Sequence, residues 1–165
     1  MSPAYDIESW HDLLVATVGA AAGLTGLLFV ALSINIDQVL AFPRLPGRAA
    51  ITLGILSILL IIGILGLAPG QSDGLLGAEF AALGLLAATA ALWVSVHPRP
   101  DPADPIAWTL WPLTLILVPS IALMLGGVTL AIGVGGGLYW ILVGIVLGFV
   151  ASVINAWVML VEIKR

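Results

Sequence analysis

Few side chains in this sequence could do chemistry, and most of those lie in or beside long apolar stretches, where an ionisable group or amide is expensive and therefore informative. Ser33, Asn35 and Asp37 stand together where the first such stretch, Leu13 to Ile36, runs out. Helix termination and capping account for that group. If several copies of the stretch met around an axis, Ser33 and Asp37 would instead form rings at a mouth, and an acidic ring favours cations. Thr25, midway along, is a further candidate lining residue, although it lies off the line of small residues that Ser33 continues. Glu79 is the one acid within a later stretch; it either reaches an interface or serves as a cation or proton ligand at an outer vestibule. Asn155 is costly to bury alone, so it needs a hydrogen bond between helices or a wet cavity. Pro119 removes a backbone donor in mid-stretch and predicts a kink.

Other chemistries are disfavoured by what the chain contains. There are no cysteines, which excludes thiol catalysis, disulfides and thiolate metal sites. His11 and His97 fall at span boundaries on opposite sides, so no metal site is expected from them. The run Gly133 to Gly137 shares only its glycine content with a phosphate-binding loop, lacking the Lys-Ser/Thr that follows in one. No nucleophile with an adjacent base, paired carboxylates or His/Glu metal pattern is present, so the reading is non-enzymatic and without a cofactor. A net charge of −4 gives no reason to expect nucleic acid or polybasic attachment to lipid.

The elements that must position these residues are helices within lipid. Only 8% of residues are charged and 61% are hydrophobic, a balance that a soluble domain of this length would not survive exposing to water. Five apolar runs read as spans of one all-α integral membrane domain covering 1–165, at about 13–36, 49–68, 75–96, 106–132 and 138–161. The prolines of the 106–132 run make it the candidate for a re-entrant segment in a four-span alternative. Between the runs lie a loop at 37–48, whose stretch Phe42 to Arg48 should break any helix, a Pro69 to Gly74 turn with Ser and Asp to cap the next helix, a proline strap at 97–105 and the glycine turn. The acidic segment before Leu13 holds no Lys or Arg, so the first span is read as uncleaved. All five basic residues, Arg44, Arg48, Arg99, Lys164 and Arg165, fall on one side of a five-span topology, which predicts the N-terminus out and the C-terminus in. The six tryptophans lie close to span boundaries, where amphipathic rings settle. A bacterial inner membrane fits this pattern best.

Small residues organise the packing. In the first span Ala16, Gly19, Gly23, Gly26, Val30 and Ser33 share one face, and the rest of the chain is expected to pack around that span with this face buried against protein. Similar faces run through Gly77, Ala81, Gly84, Ala88, Ala91 and Ser95 in the third span and through Gly144, Gly148, Ala151 and Asn155 in the fifth.

The opening Trp10-His11-Asp12, the run from Gly23 to Asn35 and the closing Trp157-Val158-Met159-Leu160-Val161-Glu162 resemble small, chiefly actinobacterial, multi-span proteins labelled as modulators of the FtsH protease. That resemblance implies regulation of a membrane protease through contacts between spans, and it transfers no site residue. Two functions are therefore expected. One is a homo-oligomer, packed through small faces, with the character of an ion channel or pore; the other is an accessory subunit docking a partner's spans.

Overall fold

The computed structural model describes residues 2–42, 45–96 and 107–163, with side chains described for 2–42, 45–93 and 113–161. The strap at 97–105 with His97 and Arg99, the pair Pro43-Arg44, and Lys164-Arg165 lie outside the described residues. So do the side chains of Ser95, Trp108, Trp111, Pro112 and Glu162.

Among the described residues two 3₁₀ turns, Pro3–Tyr5 and Ile7–Trp10, precede six helices: α1 (His11–Ile34), α2 (Ile36–Ala41), α3 (Leu45–Gly66), α4 (Asp73–Val96), α5 (Ala107–Ile132) and α6 (Leu138–Ile163). All but α2 are long and apolar enough to cross a membrane. Local chemistry sets their ends. Asn35 closes α1: its N–H donates to the Leu32 carbonyl, its Nδ2 donates to the Ala31 carbonyl at 2.9 Å, and its own carbonyl accepts from Val39 N–H. Two terminal carbonyls are thus satisfied without water, and the chain turns into α2 instead of the loop read from the sequence. The next helix begins at Leu45, earlier than the 49 expected. Pro46 falls within its first turn, where a missing N–H breaks no helical bond. Ser72 caps α4 by accepting from Leu75 N–H at 3.3 Å.

The bundle has a different centre from the one the sequence suggested. Helices α3, α4, α5 and α6 close into a four-membered ring, each packed against its two neighbours, while α1 lies outside the ring against α3. Leu59, Ile62, Phe80, Leu123, Leu130, Ile141 and Ile145 fill the interior. A residual gap of about 10 Å³ beside Pro119 and Ser120 is at the lower limit for a single water. Helix α5 remains one helix through Pro119, which is buried in that interior.

Glycines let the ring close. A Cβ on Gly77 would sit 2.5 Å from the Gly127 carbonyl oxygen, and one on Gly84 would sit 2.8 Å from the Ser120 carbonyl oxygen, so α4 and α5 touch backbone to backbone. Gly144 receives Leu123 and Gly148 receives Leu59, which seats α6 against α5 and α3. The bundle's outward sides are apolar too, with Leu85, Leu86, Val118, Ile121, Val146 and Val150 all exposed. Such a belt is what a lipid solvent requires and water opposes.

Candidate functional site

Helix α1 has two unlike faces. Leu14, Thr17, Ala21 and Leu28 are buried against the bundle, recurring at the three- and four-residue spacing of one helical stripe. Near the start of that stripe a Cβ on Gly63 of α3 would lie 2.5 Å from Val18 and 3.2 Å from the Leu14 carbonyl oxygen, so the two backbones approach closely there. On the opposite side Ala16, Gly19, Gly23, Gly26, Val30 and Ser33 are exposed, and a Cβ built on any of the three glycines would meet nothing within 4 Å. The expectation that this chain buries its first small face is therefore corrected. The packed stripe carries the larger side chains, and it left the small face outward.

The polar candidates divide accordingly. Ser33 is exposed and donates to the Phe29 carbonyl at 2.8 Å; Asp37 is exposed in the first turn of α2. Ser33 ends the small face of α1, and Asp37 follows it across the break at Asn35. Thr25 is half-buried on the packed side, one turn from Ala21, and its hydroxyl donates to the Ala21 carbonyl at 2.7 Å. Glu79 sits at the other end of the bundle, half-buried, where Oε2 accepts from Gln71 Nε2 at 3.2 Å. No group of three His, Cys, Asp or Glu able to hold a metal occurs among the described residues.

Asn155 is buried on α6 and donates from Nδ2 to Thr52 Oγ1 of α3 at 3.0 Å. Thr52 Oγ1 itself donates to the Arg48 carbonyl at 2.9 Å. This pair ties the ring across 103 residues of sequence. Thr52 carried no sequence signal of its own, because a lone Thr in an apolar run satisfies itself on its own helix. Ser152 was missed for the same reason. Its hydroxyl is buried and has no hydrogen-bond partner, whereas the hydroxyls of Thr17, Ser57, Thr89, Ser120 and Thr129 each donate to a carbonyl one turn back. The only hint was position: three residues before Asn155, it shares that residue's face.

The glycine turn is built for structure. Gly133, Gly135, Gly136 and Gly137 all have positive φ, a backbone other residues rarely adopt. Its amides are already engaged, Gly136 N–H with the Tyr5 hydroxyl at 2.9 Å and Gly137 N–H with Thr129 Oγ1 at 3.1 Å. Trp10 donates from Nε1 to the Pro3 carbonyl and stacks edge-on to Tyr139 at 5.1 Å, so residues 3–10 form a cap over this end.

No protein-family model, curated protein or solved structure matches this chain.

Proposed function

We propose that this chain is a non-enzymatic multi-pass protein of the bacterial inner membrane, N-terminus out and C-terminus in, that assembles with copies of itself through the small face of α1. One observation carries the reading. The glycine faces of α4 and α6 are consumed inside the chain, whereas the glycines of α1 face outward with nothing against them. Within lipid, close backbone approach and the dispersion contacts it permits are a main source of helix association, and a smooth glycine surface offers them to a second helix.

The assembly has the character of a pore. The interior of one chain is filled by apolar side chains, so any path runs between copies, along α1. Ser33 and Asp37 then ring its inner mouth and select cations. Thr25 is half-buried on the packed side of α1, off the small face, and is left out of the proposed lining. The same open face supports a second reading: an accessory subunit whose α1 is covered by the spans of another membrane protein, a protease of the FtsH class being the one implied by the sequence resemblance.

The mass of the purified protein in nanodiscs, followed by ion flux from the same material in liposomes, separates the two. A defined ring-sized oligomer that conducts and loses cation selectivity on Asp37→Asn supports the pore. A silent monomer favours the accessory reading.

A further inference from the structure

Beside α1 a groove of about 240 Å³ opens between α1, α3 and α6, walled by Leu24, Leu28, Leu56, Val153, Trp157 and Leu160. Thr52 and Ser152 also line it. Thr52 is committed to Arg48 and Asn155, but Ser152, only 2% exposed, has a hydroxyl with no partner. A buried hydroxyl left unpaired costs free energy that a bound acceptor or donor would recover.

We infer that this groove binds a lipid-phase molecule of the long-chain alcohol class, an apolar chain carrying one neutral hydrogen-bonding oxygen, with Ser152 as the polar contact. Three features set the class. No Asp, Glu, Lys or Arg lines the groove among the described residues, so a charged headgroup has nothing to pair with. The walls are apolar and face the side of the bundle, so the occupant enters from the membrane and not from water. Ser152 precedes the exposed ring of Trp157 by five residues, about 7.5 Å along the helix, which suits a hydroxyl drawn below an interface. The site lies on the packed side of α1, away from the small face, and is independent of the assembly proposed above.

The test uses the full chain in nanodiscs and a diazirine-bearing octanol, with the matching diazirine octane as control. Saturable photolabelling of Leu24, Leu56 or Val153 by the alcohol is expected. Ser152→Ala removes one unbonded oxygen and should weaken that labelling about three- to tenfold, the worth of a single hydrogen bond, with labelling by the octane unchanged. Ala156→Leu, on the groove wall, should abolish both. Thermal unfolding of Ser152→Ala confirms that the fold is intact. Labelling spread evenly over lipid-facing side chains, without saturation, would overturn the site. Saturable labelling indifferent to Ser152→Ala would overturn it too, reducing the groove to a slot for acyl chains or the seat of a bound water.

Discussion

Gly23 and Gly84 are the same residue type in similar apolar surroundings, and the bundle treats them oppositely. Leucine at position 23 extends into open space, so Gly23→Leu should leave the thermal unfolding of the chain unchanged within about 0.5 kcal/mol while lowering the mass of the proposed assembly. Valine at position 84 drives side-chain atoms into the α5 backbone, and Gly84→Val should destabilise the chain by about 1–3 kcal/mol or more. Differential scanning fluorimetry paired with mass photometry reads both effects on the same samples. Retention of the oligomer by Gly23→Leu would remove that glycine from the interface. Small-residue spacing alone could not have separated these sites. It marks where backbones can approach, and the occupant of each face is decided by tertiary packing that no local pattern encodes.

At the scale of elements, the five long helices and their approximate ends were legible, because an uncharged run long enough to cross lipid has few other fates. Asn35 was read as a terminator and is one, yet α2 was missed: the six residues Ile36–Ala41 hold no pattern of their own and are fixed by Val39 packing with Leu28, Leu45 and Met159. The cap over the glycine turn was also illegible, since Tyr5 and Gly136 are 131 residues apart. That cap makes a prediction at the same scale. Tyr5→Phe removes the acceptor for Gly136 N–H and should cost about 1 kcal/mol, seen as faster hydrogen exchange through residues 133–137 with the spans unaffected. Unaltered exchange there would mean that the ring of Tyr5, and not its hydroxyl, holds the turn.

For the whole molecule, the sequence pointed to α1 as the centre of the bundle, and it is the outlier. Its uninterrupted small face invited that reading, but the ring of α3 to α6 closes without it through the Gly77, Gly84 and Gly127 contacts of α4 with α5. A four-helix core with a fifth helix presented on its side is a geometry suited to recruiting a neighbour. The proposed orientation is open to a separate check: a label-accessible cysteine at Gln38 should react only from the cytoplasmic side, and one at Ser72 only from the outer side. The reverse pattern would invert the topology and move the proposed Asp37 ring to the outer mouth.

In the proposed assembly the outward face of α1 meets another copy of the same chain. Because the chain has no cysteine of its own, a single cysteine placed at Val30 reports directly on that contact under mild oxidation in the native membrane. Disulfide-linked dimers are expected for Val30→Cys and Ala16→Cys, and none for Leu86→Cys on α4 or Val150→Cys on α6, positions that are also exposed but lie away from any open glycine face. Cross-linking that is absent at Val30 and Ala16, or no greater there than at Leu86 and Val150, would contradict it.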